Sequence, residues 1–247
     1  MALKLDPFAQ LKLLDLSDLD RTLAAATHRR ATLPALAVIA ERTQRAAEVR
    51  RAVVMAETDV SDLKRATDRL DMEVDQVRAR AKRDADRLQS GQAGAKELEN
   101  LQREIESLKR RQATLEDEEL ELMERREDAE RVLSTARAEL AELTDGIAAA
   151  TAERDAAFVT IDAELSAGHT RRAELTGALP ADVLALYTRI KDSGKTAAGK
   201  LTGSQCGACR LDLDRTALAA IHSASPDAII RCEECGAILV RTVESGL

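Results

Sequence analysis

Between Leu98 and Ile161 apolar residues return at alternating steps of three and four. With Leu98 as heptad position a, the a row reads Leu98, Ile105, Gln112, Glu119, Arg126, Leu133, Leu140, Ile147, Arg154 and Ile161. The d row reads Leu101, Leu108, Leu115, Leu122, Ala129, Ala136, Leu143, Ala150 and Ala157. All nine d positions and six of the ten a positions are apolar, with no skip in phase, the pattern of a coiled-coil seam. The preceding segment carries a second stripe: Ile39, Ala46, Val53, Val60, Thr67, Val74, Ala81 and Leu88 at a, with Val49, Ala56, Leu63, Leu70 and Val77 at d. Arg42 and Asp84 break its d row.

Ser90-Gly91-Gln92-Ala93-Gly94 separates the stripes and holds the only glycines between Pro34 and Gly146. Glycine is a poor helix former and a good turn former, so the pattern predicts an antiparallel helical hairpin with its tip at residues 90–94. At 1.5 Å per residue, the helix from Pro34 to Gln89 would run about 84 Å. Upstream, Leu16, Leu19, Leu23 and Ala26 keep a 3-4 spacing, so Pro7 to about Arg30 reads as a separate helix with Asp6 as its cap. Pro34 predicts a kink or break at Ala31 to Pro34. Gly146 marks a candidate opposing bend in the returning helix.

Composition narrows the class further. The 247 residues contain only three aromatics, Phe8, Phe158 and Tyr187, while 33% are charged. Large globular cores draw much of their buried area from aromatic side chains, so long helices packed along narrow seams are expected rather than a compact enzyme. No run approaches the roughly 18 apolar residues of a membrane span. Met1 to Gln10 has no basic segment followed by an apolar run. A soluble, cytoplasmic protein is the expectation. Paired arginines along the stripes, such as Arg50-Arg51 and Arg110-Arg111, alternate with acids at helical spacing and read as a solvated, ion-paired face.

After Leu165 the pattern changes. Gly168, Gly177 and Pro180 punctuate it, and Val183, Leu184, Leu186, Tyr187 and Ile190 predict a short helix from about Ala181 to Lys191, followed by a turn at Ser193-Gly194-Lys195. Then come two Cys-x-x-Cys turns, Cys206 with Cys209 and Cys232 with Cys235. Each turn offers two thiolates to one ion, and together they form the tetrahedral four-sulfur shell that zinc prefers. Four protein thiolates leave no open position for water or substrate, so one structural zinc is expected; rubredoxin-type iron and a thiol redox pair are the rivals. Gly236 follows the last ligand, and Ile229-Ile230 with Ile238-Leu239-Val240 predict a short hairpin around the second turn. His222 lies in the insert and reads as a surface histidine on a Thr216 to His222 helix. His28 and His169 have no catalytic neighbours at motif spacing, and Lys195-Thr196 lacks a phosphate-loop glycine pattern.

These readings give a mainly α chain: a long antiparallel coiled-coil hairpin with a small C-terminal zinc ribbon. The expected divisions are a kinked hairpin over 1–168, a basic neck with a short helix over 169–200, and a four-cysteine ribbon over 201–247. The neck carries Arg171, Arg172, Arg189, Lys191, Lys195 and Lys200, a candidate nucleic-acid patch that Arg210 and Arg215 would extend. Against that, residues 200–247 hold five basic and six acidic side chains and no aromatic platform for base stacking, and the whole chain has a net charge of −7.

The layout resembles a bacterial family with a long N-terminal coiled-coil hairpin and a C4-type zinc ribbon, once catalogued as a domain of unknown function. The matching residues are Leu179-Pro180, Leu184, Tyr187-x-x-Ile190, Cys206-x-x-Cys209 and Cys232-x-x-Cys235-Gly236-x-Ile238-Leu239. Ala237 stands where the family often places a basic residue. The resemblance implies an adaptor: members are linked to flagellar or type III secretion components and an alternative sigma factor, and one to RNA. The chain is therefore expected to be no enzyme. It reads as a scaffold for protein partners, either a monomeric hairpin or a homodimer, with nucleic-acid binding through ribbon and neck as the alternative.

Overall fold

The computed structural model describes residues 3–91 and 94–246 and contains two compact units, one Ala35–Thr151 and the other Met1–Pro34 with Ala152–Leu247. The helices are α1 (Pro7–Ala31), α2 (Pro34–Gln89), α3 (Ala95–Gly177), α4 (Ala181–Asp192) and α5 (Arg215–Ser223). The strands are β1 (Ala198–Thr202), β2 (Gln205–Cys206), β3 (Ile230–Arg231) and β4 (Ile238–Val240), followed by a 3-10 turn at Val243–Ser245. The helix break falls at Thr32-Leu33, and the turn between α2 and α3 spans the expected tip, of which Gln92 and Ala93 lie outside the described residues.

In the unit Ala35–Thr151, the two stripes close on each other. Val49, Val53 and Ala56 of α2 pack with Leu133 of α3, and Leu70 and Val74 pack with Leu115. Ion pairs flank the seam in one register. At g positions Arg45 meets Glu139, Glu73 meets Arg111, Arg80 meets Glu104 and Arg87 meets Glu97. At e positions Glu57 meets Arg137 and Arg78 meets Glu116. Exposed pairs of this kind contribute about 0–1 kcal/mol each, so their weight lies in fixing antiparallel register. Desolvation and the neighbouring Asp71 hold the Glu119 carboxyl above its ordinary pKa.

Gly146 does not interrupt α3, which stays helical through it. A Cβ at residue 146 would overlap the Arg42 guanidinium. The glycine therefore makes room for the large side chain that interrupts the d row of α2.

In the other unit, Asp6 caps α1 by accepting hydrogen bonds from the N–H groups of Phe8 and Ala9. Leu13 and Leu16 of α1 pack with Leu175 of α3, Val183, Tyr187 and Ile190 of α4, and Ile238 and Val240 of β4. The sheet order is β2-β1-β4-β3; β1 and β4 are parallel, and the other two pairings are antiparallel. Because side chains alternate along a strand, β4 buries Ile238 and Val240 against the helices and Leu239 on the opposite face with Cys206 and Cys232. Leu5 N–H donates to the Asp227 carbonyl at 2.7 Å, and Ile229 N–H donates to the Leu3 carbonyl at 3.0 Å. Residues 3–5 thus form an antiparallel clasp along residues 227–229.

The segment 169–200 is not a separate neck. α3 runs on to Gly177 because Gly168 lets Leu23 of α1 nest against it, where a Cβ would come within 2.5 Å of Leu23 Cδ2. Beyond it, α4 and β1 belong to the same core as α1 and β4. From the ribbon, Ile238 and Val240 of β4 join that core, while Leu201, Cys206, Leu213, Ile221, Cys232 and Leu239 form a second cluster.

Asp20 of α1 is 9% exposed. It accepts hydrogen bonds from Arg172 Nε at 2.7 Å, Lys191 Nζ at 2.9 Å and Tyr187 Oη at 3.0 Å. Burial opposes its ionisation, but the bonds from Arg172, Lys191 and Tyr187 prevail and hold its pKa below the ordinary value. Burial, with Asp20 alongside, pushes the Tyr187 phenol well above its ordinary value.

A folded pKa below the unfolded one stabilises the fold above the usual carboxylate range, and this contribution disappears as the pH falls through the folded value. Asp20→Asn should cost roughly 2–3 kcal/mol near neutral pH, because it strips two partly buried cations of their counter-charge. Urea unfolding should show the gap between wild type and variant closing below about pH 4.

Candidate metal centre

Two turns of the same construction present the cysteines. In the first, Cys206 N–H donates to the Leu211 carbonyl at 3.0 Å and Arg210 N–H to the Cys206 carbonyl at 2.7 Å. In the second, Cys232 N–H donates to the Ala237 carbonyl and Gly236 N–H to the Cys232 carbonyl, both at 2.9 Å. The residue after each second cysteine has positive φ, 62° at Arg210 and 78° at Gly236. Glycine adopts this conformation freely, whereas a side chain there costs about 1 kcal/mol.

The first turn hangs from the end of β2, and the second joins β3 to β4. Pairing of β1 with both β2 and β4 brings the turns face to face. Gly199 and Gly207 permit the close approach of the first turn to β1. A Cβ at 199 would sit 2.5 Å from the Ala208 nitrogen, and one at 207 would sit 2.7 Å from the Lys200 carbonyl oxygen. Nothing in the cysteine spacing announces the role of Gly199 or Arg210; the glycine inside Cys206-Gly207-Ala208-Cys209 was the available cue.

All four sulfurs lie within 4.8 Å of one another. The Cys206–Cys235 and Cys209–Cys232 separations are each 3.9 Å. A tetrahedron with metal–sulfur bonds of about 2.3 Å has sulfur–sulfur edges of about 3.8 Å, so the donor set fits a zinc-sized cation. It is far too open for a disulfide bond of about 2.05 Å. Burial pushes the Cys206 thiol up and the Cys235 thiol up to about 12, while the Leu211 N–H draws the Cys209 thiol down. A thiol that burial keeps protonated becomes a thiolate when a divalent cation supplies the missing positive charge. Ala237 is fully buried and its N–H reaches the Cys235 sulfur.

The basic residues singled out in the sequence do not form one patch. Arg172 and Lys191 are bound to Asp20, Lys200 pairs with Glu244 at 2.6 Å, and Arg171 pairs with Glu174 at 2.8 Å. Arg189 and Lys195 remain, lining one cleft beside the second cysteine turn with Arg231, Glu233 and Glu234. His222 is exposed on α5, and His28 and His169 are exposed on α1 and α3. Arg241, unremarked in the sequence, donates to the carbonyls of Ile221, Ala224, Ser225, Pro226 and Ala228, gathering the chain between α5 and β3.

Gly199→Ala should force the first turn away from β1 and weaken metal retention at least tenfold in a competition titration against a chromogenic chelator. Arg210→Gly should relieve the positive-φ strain and stabilise the metal-loaded protein by about 0.5–1 kcal/mol in chemical denaturation.

Comparison with known proteins places this architecture. Residues 16–195 match the CT398-like coiled coil hairpin domain, and residues 205–239 match the C4-type zinc ribbon domain. The uncharacterized protein Rv2229c of Mycobacterium tuberculosis is 39% identical over 234 residues, covering 94% of this chain and 95% of the relative. The uncharacterized protein ML1638 of Mycobacterium leprae is 30% identical over 224 residues, covering 90% and 96%. A structure from Mycobacterium smegmatis superposes with a TM-score of 0.83 at 36% identity, covering 97% of this chain and 100% of that one. CT398 from Chlamydia trachomatis shares the fold at a TM-score of 0.68 and 16% identity, covering 95% and 98%. With its seam, its helical core and its four-cysteine cluster accounted for, the chain belongs to the family of CT398-like coiled-coil hairpins that carry a C4-type zinc ribbon.

Proposed function

We propose that the chain is a non-enzymatic adaptor that holds protein partners, with one structural zinc bound by Cys206, Cys209, Cys232 and Cys235. The observation that carries this reading is the hairpin itself. Its two helices share a single narrow seam, so most of their surface faces outward, including apolar Val54, Met55, Met72, Leu120 and Val132. Surface on that scale, with apolar side chains set among charges, suits protein association better than chemistry on a small molecule. The proposed zinc has a closed ligand shell, which supports a structural role. The two sets of contacts that organise the second unit, Asp20 with its three donors and the cysteine turns, are both spent on positioning.

A second reading rests on Arg189, Lys195 and Arg231, which share one cleft beside the second cysteine turn. It takes that cleft as a phosphate contact for RNA or DNA. The acidic side chains Glu233 and Glu234 in the same cleft weigh against tight binding.

The purified protein should contain close to one zinc per chain by elemental analysis. Cys206→Ser combined with Cys232→Ser should release it, exposing the sheet and its packed helices to hydrogen exchange while residues 35–151 stay protected. For the adaptor reading, in-cell cross-linking of the tagged intact protein should recover reproducible partner peptides. Their absence, combined with RNA or DNA binding that survives about 150 mM salt and is lost in Arg189→Ala with Lys195→Ala, would overturn it in favour of the second reading.

A further inference from the structure

A cavity of about 300 Å³ opens between the start of α1, the end of α5 and the chain just after β4. Among the described residues its lining holds Arg241 and His222 and no acid, whereas the two clefts beside β3 in the same unit both include Glu233. The carboxylates nearest in sequence are spent elsewhere: Asp6 on the N–H groups of Phe8 and Ala9, Asp227 on Lys4, and Glu244 on Lys200.

Two polar groups in this wall are fixed in direction and left with a hydrogen bond to make. Gln10 is 2% exposed, and its Nε2 donates to the Leu5 carbonyl at 2.9 Å and the Pro226 carbonyl at 3.0 Å. Those bonds settle which end of the amide is which and leave Oε1 turned from both carbonyls, without a donor among the described residues. Arg241 gives its Nη1 and Nη2 hydrogens to five carbonyls, so its Nε–H is the one donor uncommitted. The sealed-off side-chain atom without a partner among the described residues is Arg126 Nε in the hairpin, so Gln10 Oε1 and Arg241 Nε both open onto free space. The rest of the wall includes apolar Pro7, Ile221, Ala224 and Pro226.

An acceptor, a cationic donor and an apolar wall, in a volume at the lower end of small-ligand sites, complement an acylated amino acid, which carries an N–H, a carboxylate and a side chain. Phe8 and Val243, the chain neighbours of Pro7 and Thr242 in the lining, are exposed. That apolar rim gives a longer chain something to lie on, which favours a chain end over a free acylated amino acid.

We propose that this cavity captures the carboxyl-terminal residue of a protein partner, a residue with an apolar side chain. Its carboxylate takes the Arg241 Nε–H, its N–H donates to Gln10 Oε1, and its side chain lies against Ile221, Ala224 and Pro226. The inference rests on the adaptor reading and adds to it a place of docking and the chemistry that is recognised there.

The probes are fluorescent hexapeptides ending in Ala, Val, Leu or Phe with a free carboxylate, each matched by its carboxamide, and N-acetylleucine as a competitor. Anisotropy with the intact zinc-loaded protein should show at least one acid peptide binding at least tenfold tighter than its carboxamide, and weakening as salt rises. N-acetylleucine should displace it only at a tenfold higher concentration or more. In the nitrogen-15 spectrum the Arg241 Nε–H resonance should shift on saturation. Arg241 itself gathers too many carbonyls to be a clean variant, so the cavity is altered at two other positions. His222→Glu, at an exposed position, adds an acid to the lining, and Ala224→Leu fills the space. Each should weaken the acid peptide at least tenfold; should Ala224→Leu melt lower, His222→Glu supplies the comparison alone.

No binding by any acid peptide, equal binding of the carboxamides, or unchanged binding to His222→Glu with the fold intact would overturn the cavity. N-acetylleucine binding as tightly as the hexapeptide would overturn a chain end as its occupant. Cellular cross-links confined to residues 35–151 would sink the cavity while sparing the adaptor reading. An absence of partner cross-links would sink both.

Discussion

A carboxylate held away from water has to be answered by donors, and Asp20 is answered from three directions. Arg172 comes from the end of α3, and Tyr187 and Lys191 come from successive turns of α4. α1 is thereby fixed to the end of α3 and to α4, both more than 150 residues downstream of Asp20, and the leucines beside Asp20 pack in the same arrangement. The helical layer made in this way is the surface on which Ile238 and Val240 of β4 rest, and β4 carries the cysteine turn on its other side. An electrostatic requirement in a helix therefore propagates, through one doubly buried strand, to the position of four sulfurs. The apolar packing supplies most of the burial energy, and the carboxylate supplies the directionality that apolar contacts lack.

The hairpin obeys a different economy. Its seam is narrow, interrupted by Arg42, Glu119 and Arg126, and flanked by ion pairs of small individual worth. Register is nevertheless unambiguous, because each cross-helix pair agrees with every other and Gly146 accommodates the one bulky intruder at Arg42. Along the seam the helices are paired by Val53, Ala56, Leu70, Val74, Leu115 and Leu133.

Local signals in the sequence were legible. The 3-4 spacing located both long helices, Pro34 the break between α1 and α2, Asp6 a cap, and paired Cys-x-x-Cys turns the four clustered sulfurs. Each is a property of residues near one another in the chain. What could not be read depended on distant partners. The parallel pairing of β1 with β4 joins Ala198 to Ile238, and no local pattern encodes it. Arg172 and Lys191 looked like free cations because Asp20, more than 150 residues upstream, looked like one acid among many. Gly168 suggested a helix end, yet it marks the place where Leu23 approaches α3. Glycine signals both a turn and a close approach, and only the packing distinguishes them. The cysteine geometry was half legible: the gathering of four sulfurs followed from spacing, but the strained backbone at Arg210 did not, since an arginine carries no warning of positive φ.

The clasp between residues 3–5 and 227–229 bears on the order in which the chain matures. Its partners are separated by 223 residues at Lys4 and Asp227, so the pairing has to wait until residues 227–229 have left the ribosome. The hairpin closes over much shorter loops and has no such delay. During synthesis α1 must therefore persist with Leu13, Leu16 and Asp20 uncovered while the intervening hairpin is already complete. The exposed leucine face is a transient liability of the kind that chaperones attend to. β4, the last strand among the described residues, ends that interval by covering the leucines on one side and closing over Cys206 and Cys232 on the other.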